Sequence, residues 1–215
     1  MPTRRAKPPP GTLVLFVRHG RTPTTGDLLP GRAPGLHLAD DGRAQADAVA
    51  ERLSAVTRIA AVYASPLERT RETAETIGRR LGLKVVAEKG LLECDFGDWT
   101  GAKLKDLMKL PEWGTVQRWP SGFRFPNGES FSEMQARTTG AVDRLRERHR
   151  GESIVLVSHA DPIKAAVAQA LGSHLDLFQR IVVSPCSVTA VAYGGGGPTV
   201  LAVNSLGSLT DLKPA

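Results

Sequence analysis

Two short, unbroken, β-rich apolar runs, residues 12–17 (TLVLFV) and 153–157 (SIVLV), narrow the folds open to this chain more than any other feature. A run without polar alternation belongs to a strand buried on both faces, the setting of a parallel sheet with helices on either side. The first run stops at Arg18-His19-Gly20 and the second at Ser158-His159. Ligands of open α/β sheets bind beyond the carboxyl ends of the strands. Both histidines are therefore candidates for one crevice.

The rest of the chain alternates in the same way. Residues 21–39 are rich in Gly, Pro and Thr and read as a long loop, of the kind that is often functional. Asp40 is expected to cap a helix whose Ala46, Val49, Ala50 and Leu53 share one face. A strand over 59–64 leads through Ser65-Pro66 into a helix over 67–81, with Gly82 as its stop. A short strand over 84–87 and a helical stretch over 103–109 follow, and 113–127 reads as irregular. Ser130 and Glu133 form a capping-box pattern ahead of a helix with Met134, Thr138, Ala141, Val142 and Leu145 on one face. Ile163, Val167, Ala170 and Leu171 give the helix after His159 its apolar stripe. Residues 181–203 read as two strands separated by Tyr193 and four glycines, which lack the spacing of a nucleotide P-loop. The pattern predicts an α/β fold, a three-layer α/β/α sandwich around a mainly parallel sheet.

At 215 residues the chain suits one domain, expected over 12–215, behind a flexible basic, Pro-rich tail over 1–11. No apolar run long enough to span a bilayer and no secretory leader is visible, which points to the cytoplasm and away from a membrane. Cys94 and Cys186 are far apart and read as small buried hydrophobes. A formal charge of +6 favours anionic partners. Trp99, Trp113 and Trp119 read as core or lid packing, and basic residues do not interleave with them as in a nucleic-acid platform. His37, His149 and His174 have no partner at metal-ligand spacing, so no metal and no cofactor is expected. A homo-oligomer is compatible with the sequence.

A dianionic phosphate needs fixed cations and donors around its oxygens. Arg18, Arg69 and His159 are candidates for these, with Thr22 and Thr25 as further donors on the loop. Arginine suits the role because its planar fork stays charged and binds two oxygens at once.

Five blocks in order carry a resemblance to a known family: Arg18-His19-Gly20, Ser65-Pro66-Leu67-Glu68-Arg69-Thr70-Arg71-Glu72-Thr73-Ala74, Leu92-Glu93-Cys94-Asp95-Phe96-Gly97-Asp98-Trp99-Thr100-Gly101, Asn127-Gly128-Glu129-Ser130 and Val157-Ser158-His159. Over residues 13–203 the chain resembles the histidine phosphatase superfamily, branch 1, its phosphoglycerate-mutase-like arm. The resemblance implies His19 as nucleophile, Arg18 and Arg69 as phosphate clamps, His159 as a phosphate donor and Glu93 as general acid, then base. Asp95, Asp98 and Asp161 compete for the proton-donor role. Asp161 is the main rival, since another branch takes its acid from an Asp directly after the second histidine; here it stands two residues on and reads as a helix cap. Thr22, Thr25 and Gly31 are the substrate-binding candidates, and Ser65 is read as support for the pocket.

The chain departs from the family pattern at Arg21, where Glu or Gln is usual, at Thr25, where Asn is common, and at Phe96, where mutases carry Tyr. With the short segment between Glu93 and Gly128, these favour a phosphatase: hydrolysis of a small phosphomonoester through a phosphohistidine on His19, releasing inorganic phosphate. Its rivals are a phosphomutase, a non-catalytic phosphoryl-binding module and nucleic-acid binding through the basic surface.

Overall fold

The structure, a computed structural model, describes residues 11–209. The tail expected over 1–11 lies outside the described residues except for Gly11, which is buried at the head of the first strand. Residues 210–215 also lie outside them.

The order is β1 (Thr12–Arg18), α1 (Asp40–Ser54), β2 (Ile59–Ala64), α2 (Glu68–Leu81), β3 (Val85–Ala87), α3 (Leu104–Leu107), α4 (Trp113–Arg118), α5 (Phe131–Arg148), β4 (Ser153–Ser158), α6 (Ala160–Ala170), β5 (Val188–Gly194) and β6 (Gly197–Ser205), with short 3₁₀ turns between. One six-stranded sheet runs β3-β2-β4-β1-β5-β6. β3, β2, β4 and β1 are parallel neighbours, whereas β5 and β6 add antiparallel at one edge.

The unbroken apolar runs are the central pair. Leu13, Leu15 and Val17 of β1 face the layer of α1 and α2, where they meet Ala46, Val49, Leu53 and Ile77. Val14 and Phe16 face the layer of α5 and α6, against Val142, Leu145, Ile163 and Val167. Both faces of the strand are covered, which is why it has no polar alternation. The three-layer sandwich and its mainly parallel sheet are as expected.

Several local expectations change. Asp40 is the first residue of α1 and does not cap it; the cap position is Ala39, and Asp40 and Asp41 instead place negative charge in the first turn, where the helix dipole favours it. Asp161 is likewise inside α6, whose cap position is His159. The stretch 113–127 is not irregular throughout: it holds α4 and a 3₁₀ turn over Pro120–Gly122. The helix expected over 103–109 shrinks to the four residues of α3. The strand expected from 181 starts at Val188, because Leu175–Arg180 forms a 3₁₀ helix and a turn follows it. Gly82 ends α2 at φ 69°, the left-handed conformation that glycine adopts without a steric penalty.

A third apolar cluster secures the segment that carries Glu93 over α5 and α6. Phe96, Phe125, Phe131 and Phe178 pack edge to face in a chain with ring centroids 4.8, 5.2 and 5.0 Å apart. Trp99 joins it, and Trp113 packs against it from a partly buried position, but Trp119 is 60% exposed and is not core. Among the described residues no helix is long and apolar enough to cross a membrane.

Candidate active site

Three parallel strands deliver their carboxyl ends to one place. His19 N–H donates to the Ser158 carbonyl and Ser65 N–H to the Val157 carbonyl, both at 3.0 Å, so the loops leaving β1, β2 and β4 are stitched together where the sheet stops. The chain must turn sharply after His19 because α1 begins close behind it. A Cβ on Gly20 would lie 2.4 Å from the Gly42 carbonyl oxygen, and one on Gly42 would lie 2.0 Å from that of Arg21. Two glycines in contact allow the turn. The Gly20 N–H also donates to Thr73 Oγ1 at 3.1 Å, and that hydroxyl donates to the Arg69 carbonyl at 2.8 Å, which ties the turn to α2.

His19 is 5% exposed. Its Nδ1 lies 2.7 Å from the Gly20 carbonyl oxygen, an acceptor, so Nδ1 carries the ring proton and Nε2 keeps its lone pair. Burial first, and then the Arg69 and Arg18 guanidiniums, hold this histidine well below its ordinary pKa. It is neutral at pH 7. The Arg69 Nε–H faces Nε2 at 3.3 Å.

Arg69 is fully buried at the first turn of α2. Its Nη2 donates to the Gly31 carbonyl at 2.8 Å, while Nη1 has no partner. Arg18, at the end of β1, donates through Nη1 to the Val183 carbonyl at 2.8 Å and leaves a buried Nε unpaired. His159 is fully buried, with Nε2 2.8 Å from Ser65 Oγ and Nδ1 unpaired. Buried donors without partners are rare because each forfeits its hydration. Here three such nitrogens belong to Arg18, Arg69 and His159, all neighbours of His19. His19 and His159 pack edge to face with centroids 5.2 Å apart.

Glu93 completes the cluster. One carboxylate oxygen accepts from Cys94 N–H at 3.0 Å and the other lies 4.0 Å from His159 Nδ1. Its pKa is pushed up to about 7, mainly by burial and next by the Asp161 carboxylate, against the pull of Arg69, the Cys94 N–H and Arg18. The carboxyl can therefore both give and take a proton near neutrality.

The Glu93 loop is held by a network that inspection of the sequence did not find. Arg32 Nε and Arg137 Nη2 both donate to the Glu93 carbonyl, at 2.8 and 2.9 Å, and both guanidiniums bind Glu129. Arg137 grips Glu129 with two nitrogens, Nε at 2.7 Å and Nη2 at 2.9 Å. Arg32 gave no signal, being one more arginine in a polar loop.

The other candidates divide. Thr22 and Thr25 line the cavity in front of His19, their hydroxyls 3.0 Å apart. Gly31 does not line it; its carbonyl anchors Arg69, and its φ of 53° with Thr100 Oγ1 2.9 Å from a would-be Cβ explains the glycine. Asp161 lines the cavity and pairs with Lys164, a residue missed in the sequence although an i, i+3 neighbour of Asp161 on a helix was there to be seen. Asp95 binds Arg32 and Asp98 accepts from Asn127, so neither faces His19 as Glu93 does. His37 pairs with Glu72, His149 bridges Tyr63 and Glu152, and His174 meets Asp176, all away from the site. Both cysteines are buried as expected, and burial pushes the Cys186 thiol up to about 12. Among the described residues no group of three His, Cys, Asp or Glu side chains is arranged to hold a metal ion.

This arrangement can be set beside known proteins. The family model of the histidine phosphatase superfamily, branch 1, matches residues 14–206. The chain belongs to that superfamily. A phosphoserine phosphatase of Hydrogenobacter thermophilus is 35% identical over 173 residues, which cover 77% of this chain and 79% of that protein. A bifunctional protein of Mycobacterium tuberculosis is 34% identical over 204 residues, 92% of this chain but 55% of that protein. This histidine phosphatase chain thus spans about half the length of the first curated relatives it matches. Among solved structures, a mycobacterial glucosyl-3-phosphoglycerate phosphatase superposes with a TM-score of 0.81 at 25% identity, covering 91% of this chain and 99% of the other.

Proposed function

We propose that this chain is a metal-independent phosphomonoester hydrolase that turns over a small phosphorylated metabolite through a phosphohistidine on His19. One observation carries the reading: a buried, neutral His19 whose Nδ1 is locked on the Gly20 carbonyl, beside unpaired buried nitrogens of Arg18, Arg69 and His159.

The phosphate of the ester takes up those donors, and Arg69 moves its Nε–H from His19 to an oxygen, freeing the Nε2 lone pair. Nε2 forms a bond to phosphorus as the bond from phosphorus to the alcohol oxygen breaks. Glu93, protonated, gives its proton to the departing oxygen. The Arg18 and Arg69 guanidiniums then meet the charge on the transferring group, and electrostatic stabilisation of this kind is where most of the acceleration in such reactions arises. A water then enters. The Glu93 carboxylate takes its proton while its oxygen bonds to phosphorus and the P–N bond breaks, leaving inorganic phosphate and a neutral His19.

Product analysis tests the reading. With small phosphoesters and EDTA present, phosphate should appear in equal amount to the free alcohol, at an undiminished rate. Isomerised phosphoester without phosphate release would establish a mutase instead, and activity restored only by added metal would overturn the role given to the arginines.

A further inference from the structure

The cavity in front of His19 and Glu93 continues outward and measures about 360 Å³, within the range of small-ligand sites, about 300–1,000 Å³. Around these two residues its lining is of two kinds. One is apolar, built from Leu28, Leu104, Trp113 and Val116. The other is a polar strip, with Asp161 and Lys164 presented by α6 and Gln179 beside them. Lys164 Nζ donates to Asp161 Oδ1 at 3.3 Å and to Gln179 Oε1 at 3.1 Å. The two charged side chains are only 17% and 18% exposed. Beyond Arg18, His19 and Glu93 they are the ionisable groups lining the cavity, and they cancel each other.

We propose that this cavity selects phosphomonoesters of uncharged alcohols with an apolar face, and that the Asp161–Lys164 pair turns away esters whose leaving group carries a carboxylate. The inference rests on the hydrolysis proposed above and names its substrate class. A carboxylate in the outer cavity needs a cation, yet Lys164 is already engaged. Reaching it means breaking a largely buried pair and lying beside the Asp161 carboxylate, and like charges brought together in a closed site are strongly disfavoured. An aromatic or aliphatic alcohol meets no such opposition. It covers Trp113 and Leu104, and its contact area is removed from water.

A matched set of ligands tests this. Phenylphosphonate and 4-carboxyphenylphosphonate cannot be hydrolysed, so titrating each into the intact enzyme reads the preference without turnover. Phenyl phosphate and 4-carboxyphenyl phosphate read it again as kcat/KM. The neutral member should bind about tenfold or more tightly, and should keep its lead in kcat/KM although the carboxylated phenolate is the better leaving group. Asp161→Asn frees the Lys164 ammonium and should shift the binding ratio about tenfold toward the carboxylate ligand. Lys164→Gln should shift it the other way. Because both ligands meet the same altered site, any change in Glu93 cancels from the ratio. Equal or tighter binding of the carboxylate ligand by the unaltered enzyme, or a ratio that neither variant moves, would overturn the inference. A clear preference in binding with no turnover of either ester would uphold it and contradict the hydrolysis on which it was built.

Discussion

Glu93 and Arg69 are the single side chains on which the proposed chemistry turns most directly. Glu93→Gln keeps the shape and removes the titrating proton, so the loss should follow the need of the leaving group for one. For an alkyl phosphate the rate should fall by ~10²–10⁴, and for p-nitrophenyl phosphate, whose phenolate departs unaided, by much less. The pH profile should agree. In the proposed mechanism the protonated Glu93 carboxyl is the donor, so kcat/KM for the alkyl ester should decline as pH rises through about 7, and the Gln variant should lose that limb. If Asp161→Asn shows the leaving-group dependence and Glu93→Gln does not, Asp161 holds the proton. Arg69 is tested by Arg69→Lys. Its fork binds the Gly31 carbonyl through one nitrogen while another remains unpaired; lysine offers a point charge on a different geometry. Steady-state kinetics should show a loss of roughly tenfold or more, and near-normal values would remove Arg69 from the phosphate cradle.

At the scale of elements, the close approach of the β1–α1 turn to the first turn of α1 holds His19 in place. Gly20→Ala would drive a methyl against the Gly42 carbonyl, and overpacking of this kind costs about 1–3 kcal/mol. Thermal unfolding should show a Tm lowered by several degrees, and activity should fall with it because His19 is the preceding residue. An unchanged Tm would mean the turn is more pliant than its contacts indicate. How far such elements could be read in advance follows from how local their causes are. The strand runs ending at His19 and His159, the Gly82 stop and the Ser130–Glu133 capping box are set by neighbours in sequence, and the structure has them where they were read. Asp40 and Asp161 were misread as caps because a cap and a first-turn acid look alike until the backbone is known. The short α4 was missed because the apolar residues over 113–127 serve the aromatic cluster and not a helix face of regular period, and the start of β5 because Ile181, Val183 and Cys186 pack in different clusters although they form no strand. Arg32 was invisible because its partners, Glu93 and Glu129, lie 61 and 97 residues away.

Across the whole molecule, the parallel core of the sheet brings residues from three segments to one end, and the helical layers and the aromatic cluster exclude water from them. Burial is thus both structural and chemical: it neutralises His19, lifts Glu93 to about 7 and leaves buried nitrogens of Arg18, Arg69 and His159 without partners. Neither histidine would have these properties on an exposed surface. The central claim is that the phosphoryl group rests covalently on His19 between the two half-reactions. Brief reaction with a phosphate-labelled ester, quenching in alkali and peptide mapping by mass spectrometry measures this directly. Label that survives base, is lost in acid and maps to the peptide containing His19, and is absent from His19→Ala, is the expected result; label on another residue, or turnover in His19→Ala at the native rate, would contradict the account.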